Sequence, residues 1–371
     1  MKLGVMMSLF GQQTLDQALD YVKKSGLDAV EIGTGNYPGS PHCLVKRLRE
    51  SKKELDEWKA KVTSRGLEIS ALSCHGNPLH PNAAFAKQNH EVYCSTVALA
   101  VDLGVETVIN FSGCPGGCPE DRTPNWITCP WPTDFSNALK WQWDERAVPY
   151  WAFMAHLLRV RKKRVAFEPH PGFVVYNTET VLKLREQVGA LLTSGIDDKS
   201  KLDRVVAWMR EIIHPSQVDT AYDVLGRGIG ADKAAESANS LGANFDPSHL
   251  FWQQMDPIVS ARKLGEAKAI FHVHAKDCRV DAANTAENGV LDNKHYGDVL
   301  HRSWVFRTVG YGHGPEFWKD FVSVLRCVGY DGVLSIEHED GLMSVNEGFQ
   351  KAVAFLRDVM LTEPVGKMWW A

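Results

Sequence analysis

The chain has 371 residues, 44% of them hydrophobic, and a formal net charge of −4. That length can bury a sizeable core in one large domain or two smaller ones. The charge gives no general attraction to nucleic acid or an anionic membrane, and no run approaches the roughly 18 apolar residues a membrane span needs. The 8 cysteines, at positions 43, 74, 94, 114, 118, 129, 278 and 327, are scattered, unlike the dense framework of a small secreted domain. Cys114, Cys118 and Cys129 form half of a zinc pattern at best, and reduced loop thiols fit better. Met1–Met7 runs straight into a strand-like segment with no secretory layout, so a cytoplasmic enzyme is the default expectation.

Leu3 to Leu9 reads as a strand. Thr14-Leu15-Asp16-Gln17 then has the pattern of a capping box opening an amphipathic helix, with Leu15, Ala18, Leu19 and Val22 on one face. Gly26 closes that helix. A second strand spans Asp28 to Gly35. A charged helix near Lys53–Arg65 precedes a third strand, Glu68 to Cys74, which ends in His75. A helix over Asn82–Leu103 leads to a fourth, Thr107 to Gly113. Further strands start near 164, 242, 270 and 332. Eight apolar strands alternating with helices predict a parallel sheet buried on both faces and closed as a (β/α)₈ TIM barrel.

Three connections exceed what a plain barrel needs. Residues 114–143 are rich in Pro, Gly and Trp, as expected of a lid or binding loop. Residues about 190–240 read as an insertion within a single barrel domain spanning 1–371. Asp198–Ile213 looks helical there and Asp232–Ser240 is a second candidate, and the segment is expected to cover the site or serve a subunit interface. Asp281–Gly314 is a polar and aromatic loop in which Arg307 could hold an anionic or polyol group. A homo-oligomer is the expected assembly.

The last four strands share one grammar: a short apolar run ending at once in acids and histidines. The runs are Val165–His170, Gly242–His249, Ile270–Asp277 and Val333–Asp340. A carboxylate or imidazole at a buried strand end is costly to desolvate without a partner. Glu168, Asp246, His274 and Glu337 supply one ligand from each of four neighbouring strands. Three carboxylates and an imidazole suit Mn²⁺ first, then Mg²⁺, with Co²⁺ or Zn²⁺ also able to bind. For any one of them the plain alternative is a helix cap or a surface acid. His75, at the end of the third strand, is either a substrate contact or a structural hydrogen bonder.

Over nearly the whole chain, apart from 114–143 and about 190–240, the sequence resembles the xylose-isomerase-like TIM barrels of the sugar phosphate isomerase/epimerase group, with ketose 3-epimerases and inosose dehydratases. The resemblance rests on Glu168, Asp246-x-x-His249, His272-x-His274 and Ile336-Glu337-His338. It implies one divalent metal held by Glu168, Asp246, His274 and Glu337, with Glu168 and Glu337 as the acid and base on opposite sides of the substrate. It also implies substrate contacts from His249 and from a basic residue after the seventh strand, Arg279 or Lys276. The expected activity is a sugar isomerase or epimerase acting on a keto-sugar through an enediolate. A lyase on the same barrel, dehydrating a keto-cyclitol or eliminating from a 3-keto-glycoside, is the alternative. The related three-metal nucleases would need a histidine where strand four carries Asn110, and a basic stripe that is missing. No Gly-x-Gly-x-x-Gly opens a helix, so no dinucleotide site is expected.

Overall fold

Eight parallel strands close into a ring in the computed structural model, which describes residues 1–370. The ten strands among the described residues are β1 (Lys2–Met6), β2 (Ala29–Gly33), β3 (Glu68–Ser73), β4 (Thr107–Asn110), β5 (Arg164–Phe167), β6 (Leu241–Phe245), β7 (Ile270–Ala275), β8 (Asp277–Val280), β9 (Trp304–Arg307) and β10 (Val333–Ile336). Strands β1 to β7 lie side by side in chain order, and β10 fits between β7 and β1. Lys2 faces Val333 across the closing seam. All eight expected barrel strands occur, giving the (β/α)₈ fold. Residues Ala29–Gly33 show why: every one is buried, because helices cover the outer face while side chains fill the bore.

Local signals set the helices as expected. Thr14 and Gln17 complete a capping box for helix Leu15–Lys24, which buries Ala18, Leu19 and Val22. Asn82 caps Ala83–Leu103, and Gly104, at φ +76°, ends it in a left-handed turn that disfavours a Cβ. No described helix is long and apolar enough to cross a membrane.

The structure departs from expectation in the three long connections. The 114–143 loop holds a helix, Thr133–Gln142, which runs through a π-helical turn, Trp143–Ala147, into the buried helix Val148–Arg161. Within about 190–240 there are three helices of its own, Lys199–Arg210, Val218–Arg227 and Ala231–Ala238; the middle one was not expected. They pack on the outer helices rather than over the barrel mouth: Leu202, Val205, Val206 and Met209 join the main apolar core. Arg204 pairs with Glu145 at 2.9 Å, and the Arg146 guanidinium sits between the rings of Trp141 and Trp208. Instead of a plain loop after β7, the chain leaves as an antiparallel ribbon of β8 and β9, with Arg279 facing Val305. Asp277 anchors the return by accepting from the backbone N–H groups of Gly310, Gly312 and His313 and from the Trp318 indole.

Candidate metal centre

Glu168, Asp246, His274 and Glu337 leave β5, β6, β7 and β10, and one ligand atom from each lies within 4.8 Å of the other three. Asp246 does two things at once. Its Oδ1 accepts from the Ser248 N–H at 2.8 Å, capping helix Pro247–Trp252, while Oδ2 turns into the cluster. His274 Nδ1 lies 3.2 Å from Glu168 Oε2 and 3.0 Å from Glu337 Oε2. Asp246 Oδ2 lies 3.1 Å from the Lys276 ammonium. These approaches are poorly directed, and both Asp246 Oδ2 and His274 Nδ1 are buried without a proper hydrogen bond.

Buried atoms in that condition mark a partner of another kind. A cluster of three carboxylates faced by one ammonium also has negative charge to spare, which a divalent cation would offset. The donor set fits such an ion, with hard oxygens predominating. No cysteine takes part in any cluster of metal-type ligands among the described residues.

The surroundings set the charge states. Burial pushes the Glu168 carboxyl up, but hydrogen bonds from His249 and His75 and the charge of His274 outweigh it and hold the group well below the usual range. For Glu337 burial again raises and the nearby Lys276 and His274 lower, with a net depression. Burial works to neutralise His274, yet the charges of Glu31 and Glu337 prevail and raise it. Lys276 likewise stays charged despite burial, because Asp246, Glu337, Glu339 and Glu168 surround it. Its Nζ is 2.8 Å from Glu337 Oε2 and 3.1 Å from Glu339 Oε2, with the Phe306 ring beneath.

A cavity of about 430 Å³ opens above the cluster, lined among others by Tyr37, His75, Glu168, Lys276, Glu337 and Glu339. Of the expected substrate contacts, His75 and Lys276 line it, and His75 Nε2 is 3.0 Å from Glu168 Oε2. His249 does not. It is fully buried with Nε2 at 3.0 Å from Glu168 Oε1, and the His170 ring packs over it at 4.2 Å, so His170 lines the cavity instead. Arg279 is exposed on the β8–β9 ribbon and is not part of the cavity wall. Arg307 Nε is committed to Asp340 at 3.0 Å, and its side chain lines a neighbouring cavity of about 270 Å³. The tryptophans of 114–143 contribute nothing to the main cavity.

One residue of the site escapes the strand-end pattern. Glu31 lies inside β2, fully buried, and accepts from His274 Nε2 at 2.9 and 3.2 Å and from the hydroxyls of Ser73 and Ser335. A signal was present, since a single carboxylate in the apolar run Ala29-Val30-Glu31-Ile32 needs a buried partner.

Residues 19–192 and 225–359 match the family model described as xylose isomerase-like TIM barrel, leaving out part of the 190–240 segment. The uncharacterized protein YfiH of Bacillus subtilis (strain 168) is 33% identical over 365 residues, 97% of this chain and 99% of that protein. Among solved structures, the "probable 3-DHS dehydratase AsbF" of Bacillus anthracis aligns with a TM-score of 0.57 at 15% identity, over 96% of this chain and 99% of that one. An IOLI protein with a bound zinc atom gives 0.55 at 16%, over 97% and 98%. A D-psicose 3-epimerase studied in the presence of D-fructose gives 0.52 at 13%, over 97% and 99%. At those identities the likeness is one of fold. The family match over most of the chain, with its long relative in B. subtilis, makes this chain a member of the xylose isomerase-like TIM barrel family.

Proposed function

We propose that the protein is a divalent-metal-dependent isomerase or epimerase of a keto-sugar, with Glu168 and Glu337 as its acid–base pair. The observation that carries this reading is the convergence of Glu168, Asp246, His274 and Glu337 within 4.8 Å beneath an open cavity. Those four residues would hold the ion. When bound, a divalent cation polarises a ketone and offsets the charge of an enediolate.

The chain's own groups do the rest. One glutamate carboxylate takes the proton next to the carbonyl, and the other, which first takes up a proton through the open cavity, returns it to the substrate. Return to the same carbon from the other face gives an epimer, and return to its neighbour gives an isomer. Lys276, on the cavity wall, donates a hydrogen bond to a sugar oxygen, and His75, whose Nε2 N–H goes to Glu168, accepts one from a sugar hydroxyl at Nδ1. The family relationship and the epimerase among its structural neighbours agree with this chemistry.

The decisive experiment strips the protein of metal, reloads it with Mn²⁺ and incubates it with free keto-sugars in D₂O. Deuterium should enter beside the carbonyl, with the rest of the mass conserved, and only in the reloaded sample. No exchange across ketohexoses, ketopentoses and keto-cyclitols would end the proposal. Lys276 supports a second reading: a buried ammonium on the cavity wall could protonate a departing hydroxyl or aglycone, and AsbF is described as a dehydratase. Loss of water or an aglycone in the same assay identifies that lyase.

A further inference from the structure

We infer that Glu31 is a positioning residue for the metal centre: it fixes His274 with the proton on Nε2 and so turns Nδ1 toward Glu168, Asp246 and Glu337. The inference rests on the metal reading above but concerns a residue outside the ligand set. A carboxylate only accepts hydrogen bonds. Glu31 reaches from β2 across the bore to β7 and receives His274 Nε2 on both oxygens, at 2.9 and 3.2 Å. The nitrogen facing it must therefore be the donor.

The carboxylate is itself held. Ser73 on β3 and Ser335 on β10 donate their hydroxyls to its two oxygens, and β10 sets Ser335 directly beside His274 in the sheet register. Neither the carboxylate nor the ring has room to turn, since Glu31, Ser73, Ser335 and His274 are all fully buried. With Nε2 occupied, the lone pair available to an ion is on Nδ1, the same atom that lacks a directed hydrogen bond. Metal-bound histidines are commonly oriented in this way by an outer carboxylate.

Two other roles for Glu31 fit less well. Glu31, His272 and His274 are close enough to hold a second ion. However, His272 already spends Nδ1 on Asn244 Oδ1 at 2.9 Å and Nε2 on the Ser70 hydroxyl at 3.2 Å, and both Glu31 oxygens are engaged. A merely structural ion pair would affect folding and leave ion affinity alone.

The test compares wild type, Glu31→Gln and Glu31→Asp as full-length proteins, stripped of metal and titrated with Zn²⁺ and Mn²⁺ against a chelating dye. Folding is checked by circular dichroism. Glu31→Gln should bind about 10- to 100-fold more weakly, because its amide can donate as well as accept and no longer selects one tautomer; Glu31→Asp should lose less. In zinc-loaded wild type, ¹⁵N spectra of labelled histidine should report one ring protonated at Nε2 and metallated at Nδ1, a pattern lost in Glu31→Gln. A folded Glu31→Gln protein that binds within twofold of wild type overturns the inference, as does metallation at Nε2. If Glu31→Gln does not fold, Ser335→Ala, which removes one hydrogen bond to Glu31, should weaken binding several-fold, and unchanged binding overturns it equally. Wild-type protein that binds neither ion sinks the metal reading itself, a result distinct from binding that ignores Glu31.

Discussion

Two polar layers lie one above the other in the bore of this barrel, and they differ in one respect. In the lower layer, Glu31, Ser73, Ser335, His272, Asn244 and Ser70 pair with one another and, through Glu31 and Asn244, with His274 and Glu168 above. In the upper layer, Glu168, Asp246, His274, Glu337 and Lys276 crowd together with two buried atoms, Asp246 Oδ2 and His274 Nδ1, left without directed partners. Both layers are buried and both are rich in charge. Unfinished pairing, not burial, therefore distinguishes the candidate reaction centre from its scaffold.

The sharpest way to break this contrast is to remove a candidate ligand of the upper layer. Asp246→Ala should abolish ion binding and turnover together, measured by calorimetric titration and solvent deuterium exchange. Full activity in metal-free Asp246→Ala protein would refute the centre. Asp246→Asn separates the residue's two jobs. It should keep the helix cap, for which Asn serves as well as Asp, whereas Asp246→Ala also gives up about 1 kcal/mol of stability.

Acid should sharpen the contrast within the lower layer. Burial, together with the charge of His274 and despite that of Glu31, holds His272 down to about 4. An unfolded histidine takes up its proton near the ordinary 6.5. The unfolded state thus binds more protons between those values, and the native state should lose about 3 kcal/mol as pH falls from 6.5 to 4, with no further loss from His272 below. Glu31 has the opposite charge type and a lower window. Burial raises its carboxyl, but His274 and His272 prevail and bring it from 4.5 to about 2. Its contribution is complete above 4.5 and disappears as pH falls toward 2. Denaturant unfolding of His272→Gln should flatten the upper window alone; an unchanged pH slope there would mean that His272 is already charged in the native protein.

Saturating ion should act on the upper layer only. At a hundred times its dissociation constant, an ion that binds the native state alone adds about 2.7 kcal/mol. Thermal unfolding should show that gain in wild type and none in Asp246→Ala. The smallest effect belongs to neither layer: Arg279→Ala should change stability by less than about 0.5 kcal/mol and leave turnover unaltered, because the side chain is exposed on the ribbon. A large fall in turnover would put the ribbon into the site.

Much of the upper layer was legible in the sequence because each candidate ligand ends an apolar strand, where an ionisable group is conspicuous and expensive to bury. The eight barrel strands were legible as short apolar runs alternating with helices, and Thr14 and Gln17 announced a helix start that the structure completes. Glu31 was not, since it sits in mid-strand, where one acid reads as a blemish in an apolar run. The burial of His249 was hidden because spacing alone does not reveal which way the turn at Pro247 aims a side chain, nor that His170 packs over it. Arg279 and Arg307 fell on strands of four residues each, too short for a period-two pattern to declare itself, so the ribbon between β7 and β10 looked like loop. In the 190–240 segment Asp198–Ile213 read as helical, but its sequence did not say that Leu202, Val205, Val206 and Met209 would be buried against the outer helices.

The seam between β1 and β10 bears on how the molecule is made. Lys2 pairs with Val333 and Val5 with Ile336, so the ring joins segments some 330 residues apart in the chain. Until β10 emerges during synthesis, β1 and β7 each present a row of unsatisfied backbone groups. Contacts so distant in sequence form slowly, because their closure entropy is spent before they return any stability. A ribosome-bound chain lacking only its last forty residues therefore already has all of Glu31, Glu168, Asp246 and His274, yet is an open sheet with two adhesive edges. Aggregation during overproduction should accordingly fall on chains truncated before Val333 far more than on chains shortened at the exposed tail beyond Met360.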